Sequence, residues 1–303
     1  MPAERRYGLD HDHYDWSALP TRPKLVWPDG AQLALCVTVV LEHLEWEQPA
    51  EGYRVKRLPG GLGGLPHPDY VRHSHWDYGH RVGIFRVLDA LDQAGIRPTV
   101  AIDALTAEHY PWLAQHCVER GAELIGHGIS PNRMITSKMD EATEREYIRT
   151  SLDAVASVGG SAPVGWFGPE YGESTRTPQL LAEAGVRYVC DWPNDEQPYP
   201  MHAPAGEITS LPVLYDLDDA YAMGVRQVPV DRYARMITDT AEVLVADGAT
   251  TGRLFNLVLH PWLSGQPFRI GFIGQALGEI TARDEVWAAS GAQIVDNYRA
   301  QLD

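Results

Sequence analysis

Cysteine is scarce in this sequence. Cys36, Cys117 and Cys190 are the only three in 303 residues, and none forms a CxxC pair. An odd, unpaired set suits a reducing compartment better than a disulfide-stapled fold. Positive charge is also in short supply, with 25 Lys and Arg against 41 Asp and Glu and a net charge of −16. Such a surface repels phosphate backbones and anionic lipid, so neither nucleic acid nor a membrane surface is an expected partner. The longest apolar run, residues 33–41, is half the length of a membrane span. The opening residues MPAERRYGLDHDHYDW carry no apolar stretch of the secretory type, so the expected location is the cytoplasm. No GxGxxG follows a strand-like run, and neither GxxxxGKS/T nor a GxSxG elbow occurs. Dinucleotide, P-loop and serine-elbow chemistry therefore lack support.

What is present is a full core. Hydrophobic residues make up 44% and charged ones 22%, which excludes global disorder. After an N-terminal arm (1–30), the run LALCVTVVL (33–41) reads as a strand buried on both faces. An irregular stretch, 46–79, follows and contains PGGLGGLPHPDY; a loop of that length predicts a lid or a site wall. Thereafter strand-like and helix-like segments alternate. Helices are expected at 81–95, 107–121, 140–158, 177–185, 231–247 and near 272–284, with another at the end of the chain. Strands are expected at 99–103, 123–128, 164–169, 187–192, 208–213, 226–230, 254–260 and 286–290. This alternation predicts an α/β protein with a parallel sheet, most simply a distorted barrel, formed by residues 1–303 as one domain.

In such barrels the reactive residues sit at the C-terminal strand ends. Here those ends carry Glu42-His43, Asp103, His127, Pro169-Glu170, Asp191-Trp192 with Asp195 nearby, and His260. Histidines and glutamates on one rim suit water activation and leaving-group protonation. A zinc site wants three convergent ligands, often two at i and i+4, but Pro131 stands four residues after His127. The DHDH run (10–13) reads as a solvated arm, His73 and His75 as wall or surface residues, GGLGGL (60–65) as a flexible lid, and Cys36 as a buried thiol.

Together the segments VVLEHLEWE (39–47), DYGHRVGIFRVLDAL (77–91), ELIGHGIS (123–130), GWFGPEYGES (165–174), DWPNDEQPY (191–199) and LHPWLSGQPFRI (259–270) resemble the polysaccharide deacetylase superfamily with its NodB-homology barrel. Within it the chain is most similar to the cytoplasmic branch of metal-independent allantoinases and cyclic imide hydrolases. The resemblance implies that Glu42 is the first-strand catalytic carboxylate, that His127 is the first histidine of the HxxxH metal motif, and that His260 is the late general acid. GPEYG resembles the RPPYG loop. Pro131, with Asn132 beside it, stands for the second histidine of HxxxH, His43 for the metal-binding aspartate, and Phe167 for the loop arginine.

The resemblance implies a hydrolase of a non-peptide carbon–nitrogen bond in a small cyclic amide, imide or ureide. Glu42 is the expected base, with Glu170 as the alternative, His127 orients the water, and His260 is the acid. Trp192 and Trp262, with the aromatics near Tyr70 and Trp76, are expected to form an apolar wall. Asn132, Asp195 and Gln266 are expected to bind the substrate's amide edges. No cofactor is expected; the alternative is one divalent metal such as zinc on Glu42, His43 and His127. A metal-dependent sugar de-N-acetylase and a non-catalytic small-molecule-binding barrel are the competing readings. A small-molecule substrate and a homo-oligomer are the expected partners.

Overall fold

The computed structural model describes residues 11–50, 52–53 and 68–302. The GGLGGL segment lies outside them, as do most of the first residues of the N-terminal arm. Among the described residues, nine strands form one sheet: β1 (Leu33–Leu41), β2 (Thr99–Ile102), β3 (Glu123–Gly126), β4 (Gly165–Trp166), β5 (Tyr188–Val189), β6 (Tyr199–Ala203), β7 (Gly206–Ser210), β8 (Arg253–Leu259) and β9 (Val286–Ala288). Their order is β6-β7-β5-β4-β3-β2-β1-β8, with β9 on the N-terminal half of β1. All pairings are parallel except β6–β7. The sheet curls until isolated backbone bonds bridge its edges, Leu254 N–H to Glu196 O at 2.7 Å and Leu214 N–H to Asn256 O at 3.2 Å. The expected distorted barrel is borne out. No helix among the described residues is long and apolar enough to cross a membrane.

Side-chain alternation along the strands decides what the barrel contains. Leu33, Leu35, Val37, Val39 and Leu41 of β1 pack outward against helices, while Ala34, Cys36 and Val40 join an inner cluster. Strand β8 repeats the pattern, with Phe255, Leu257 and Leu259 outward and Leu254 and Val258 inward. In β3, Ile125 belongs to the inner cluster. Extending the same parity past each strand end aims Glu42, His260 and His127 into the mouth of the barrel. Because β1, β3 and β8 run parallel, all three arrive at one rim.

Several elements depart from expectation. The stretch 46–79 is not wholly irregular: Asp69 caps a helix at Tyr70–Tyr78 through the Arg72 N–H, and this helix passes through a wide turn at Gly79–Gly83 into the helix Ile84–Gln93. Gly79 and Gly83 serve close packing. A Cβ on Gly79 would stand 2.8 Å from the Trp262 nitrogen, and one on Gly83 would stand 2.1 Å from the Pro261 oxygen. Substituting Gly83→Ala should therefore cost about 1–3 kcal/mol by overpacking, read as a lowered denaturant midpoint; an unchanged midpoint would mean the two segments separate freely. The expected strand at 226–230 is absent. Gln227 takes a left-handed φ of 55°, Pro229 has no N–H to give a ladder, and the helix Val230–Gly248 begins at once. The strands expected at 164–169 and 187–192 shrink to two residues each, and β6 was not expected.

Candidate active site

Glu42 follows β1 and His127 follows β3. The His127 Nδ1–H donates to the Phe167 carbonyl, which can only accept, so Nδ1 carries a hydrogen. His127 Nε2 then lies 3.1 Å from Glu42 Oε1. An imidazole lone pair cannot bond a carboxylate, so this contact holds one proton between the two groups. Burial acts to raise the Glu42 pKa. The hydrogen bond and charge of His127, the charge of His260 and the Trp76 indole outweigh it and hold the carboxyl below its ordinary 4.5.

His260 follows β8. Its Nδ1 lies 2.6 Å from Asp219 Oδ1, and its backbone N–H donates to Asp219 Oδ2 at 2.9 Å. The Ser264 hydroxyl also donates to Asp219 Oδ2. Asp218 stands 3.8 Å from the same ring nitrogen, and one of its oxygens accepts the Tyr171 hydroxyl at 2.7 Å. Burial opposes charge on the ring, but Asp219 and Asp218 outweigh it and push His260 up to about 10. The ring is therefore an imidazolium near neutrality. With Nδ1 committed to Asp219, Nε2 is the nitrogen left for a substrate.

Trp76 and Trp262 stack with centroids 3.9 Å apart and planes 19° from parallel, and the Trp76 indole N–H approaches Glu42 Oε2 at 3.5 Å. His260 meets the edge of Trp262 at 6.1 Å. The expected aromatic wall thus has Trp76 and Trp262 at its centre. His80, stacked on Tyr110, is held neutral because burial and the nearby His43 lower it to about 4 against the pull of Glu42.

Other expected site residues have structural duties. Asn132 is consumed by the loop that follows β1: Oδ1 accepts the Glu45 N–H at 3.0 Å, and Nδ2 donates to the Tyr53 carbonyl at 2.9 Å. Asp195 is clamped by Arg22 at 2.8 and 2.5 Å and by the Glu196 and Gln197 amides, so it ties the N-terminal arm down. Trp192 gives its N–H to Glu173 at 3.1 Å and packs against His13 and Tyr14 of the arm. Gln266 donates to the Trp262 carbonyl at 3.1 Å and stands beside His75, next to the wall. Glu170 is exposed in a left-handed conformation (φ 54°) near Tyr215, whereas Glu42 is the glutamate bonded to His127. Asp103 caps the helix Ala104–His109 and accepts the His43 N–H at 2.7 Å. Asp219 was missed entirely. Its only sequence signal is the pair of acids in LDDA (217–220), inside a stretch with no clear period.

Among the described residues, the group with metal-like spacing is Asp218, Asp219 and His260. Its oxygens are already filled by a hydroxyl from Tyr171, a hydroxyl from Ser264, backbone amides and the His260 ring. Glu42, His43 and His127 form no such group. The His43 ring turns instead to His109, 4.9 Å away, and to Tyr110. Three converging ligands are the minimum for a catalytic zinc, and Glu42 and His127 supply two that are bonded to each other. The residues present do not fit the metal.

Residues 67–189 match the family profile of polysaccharide deacetylases. A Schizosaccharomyces pombe protein, provisionally named a polysaccharide deacetylase, is 25% identical over 303 residues, covering 91% of this chain and 92% of that one. Among solved structures, PuuE allantoinase superposes with a TM-score of 0.82 at 24% identity, over 92% of this chain and 94% of the other, a likeness of fold. A Mycobacterium smegmatis structure, also provisionally named a polysaccharide deacetylase, gives a TM-score of 0.78 at 26% identity, over 93% and 95%.

Proposed function

We propose that this chain, a hydrolase of the polysaccharide deacetylase family that acts on carbon–nitrogen bonds, opens that bond in a small cyclic amide, imide or ureide, and does so without a metal ion. The observation that carries the proposal is the pairing at the rim: Glu42 and His127, which share one proton, stand with an imidazolium–carboxylate pair, His260–Asp219. The first is a base with a hydrogen-bond donor beside it, and the second is an acid.

The steps balance. Glu42 takes a proton from water as the water oxygen bonds to the carbonyl carbon. Once Glu42 is neutralised by that proton, the His127 Nε2–H that it held turns to the oxyanion that forms. The carbon–nitrogen bond then breaks with its electron pair on nitrogen, which takes the Nε2 proton of His260. Solvent exchange returns the proton from Glu42 to His260. Each acid–base role is typically worth about 10²–10⁴ in rate, and the oxyanion contact contributes on a similar scale. The Trp76–Trp262 stack excludes bulk water from the Glu42 carboxylate.

The family whose profile residues 67–189 match favours a second reading, de-N-acetylation of a sugar. A substrate panel separates the two. Purified protein is incubated with hydantoin- and succinimide-type rings and with N-acetylated sugars, and new carboxylate and free acetate are measured. Ring opening with no acetate release is the expected outcome. Acetate release alone would establish the deacetylase, and neither product would leave a binding barrel.

A further inference from the structure

We propose that Glu173 and Asp191 form a buried carboxyl pair that shares one proton and positions the His127 ring through a single peptide unit. The inference rests on the assignment of His127 to the active site.

Asp191 follows β5, and its Oδ1 accepts the Gly168 N–H at 2.7 Å. Glu173 lies at the far end of the Phe167–Glu173 loop, and its Oε2 accepts the Trp192 N–H at 3.1 Å. The remaining oxygens, Glu173 Oε1 and Asp191 Oδ2, are both buried, and no other described group donates to either. Each carboxyl is a hydrogen-bonding neighbour of the other. Two carboxylate oxygens cannot bond without a hydrogen, so one of the acids is protonated. One proton between Oε1 and Oδ2 satisfies both atoms, which otherwise would be costly buried acceptors. Among the described residues, no Arg or Lys pairs with either carboxyl.

The surroundings decide which acid holds the proton. Asp191 accepts a backbone N–H and faces the charge of His127, both of which favour its ionised form; Cys190 and the Tyr171 hydroxyl are its neutral neighbours. Glu173 faces Asp191 and Glu144, both negative, and the Trp192 indole, whose other side carries His13. Glu144 is in turn bonded to Arg176, Ser174 and Thr177. Burial pushes Glu173 well above the usual carboxylate range, and Asp191 up to about 7. Glu173 is the acid and Asp191 the carboxylate.

The consequence reaches the active site through one peptide bond. The Phe167 carbonyl that accepts from His127 Nδ1–H and the Gly168 N–H that donates to Asp191 are the two ends of the same peptide plane. Rotating that plane breaks both bonds. The plane has little room to yield, because a Cβ on Gly168 would stand 2.8 Å from the Gly172 carbonyl and 3.2 Å from Asp191 Oδ2. Asp191 thus fixes the carbonyl that fixes the His127 tautomer, and the Glu173 proton keeps Asp191 in place. Both are positioning residues.

Infrared spectroscopy tests this without a substrate. A protonated-carboxyl band present in wild type at neutral pH should be lost in Glu173→Gln and shifted in frequency in Asp191→Asn. Glu173→Gln can still donate to Asp191 through its amide. Its stability should fall less than that of wild type as pH rises from 4.5, because a folded-state pKa raised by burial gives stability that is present below the unfolded value and lost through the folded one. Glu173→Ala should lower kcat by about 10²-fold through misplacement of His127, and Glu173→Gln should restore most of it. An unchanged band in both variants, or no rescue by Gln, would overturn the pair. Since the band is read without turnover, a wrong substrate class would leave its result standing.

Discussion

Glu42→Gln is expected to lower turnover by about 10²–10⁴-fold while leaving substrate affinity near that of wild type. Glutamine keeps the length and one hydrogen-bonding oxygen, so the ring of His127 still has a partner, but the amide cannot take a proton from water. Comparing kcat with a directly measured Kd for the unreacted ligand checks this. If kcat were unchanged, Glu42 would not be the base and exposed Glu170 would become the candidate. If binding were lost together with turnover, Glu42 would hold the substrate and do no more. The wild-type acid limb should fall below 4.5, because His127 and His260 keep the carboxylate ionised.

The second large effect is expected at Asp219, a residue that touches no substrate. Asp219→Asn replaces the charge that keeps His260 an imidazolium and leaves the ring free to take the wrong tautomer. Turnover should fall by about 10²–10³-fold, within the range for loss of a general acid, and the alkaline limb of the rate profile should move down from about 10 toward the ordinary 6.5 of histidine. Stability should follow with a definite sign. The folded-state pKa of His260 is raised, so its pairing contributes stability that is complete below 6.5 and is lost as pH rises through about 10. In Asp219→Asn that loss between 6.5 and 10 should shrink, as measured by denaturant midpoints across the range. A rate profile with the same alkaline limb in both proteins would remove His260–Asp219 from the mechanism.

The fold and the candidate site were legible in the sequence to different depths. Residues 33–41 announced a strand because nine nearly apolar residues rich in Val and Leu leave no polar face, and the strand is buried throughout. Strand alternation then carried Glu42, His127 and His260 to one rim, which required only that β1, β3 and β8 be parallel. The strands at Gly165–Trp166 and Tyr188–Val189 are too short to show a period. Asp195 and Asn132 looked like substrate binders because they are polar and lie near strand ends. Their true partners, Arg22 and the Glu45 and Tyr53 backbone, are far away in sequence, and no local pattern records such contacts. Asp219 was invisible for the same reason, since it meets His260 across 41 positions from an aperiodic segment. Gly79, in the stretch expected to be irregular, and Gly83, inside the expected helix 81–95, gave no local sign of their role, which is to let two helical segments approach the Pro261–Trp262 backbone.

The most direct test is turnover of a cyclic imide or ureide by protein stripped of metal with a strong chelator, measured before and after zinc is added back. The expected result is a rate that survives stripping, does not respond to zinc, and vanishes in Glu42→Gln. A rate that falls to background on stripping and returns with zinc would contradict it, and would mean that Glu42 and His127 recruit a third ligand to hold a metal.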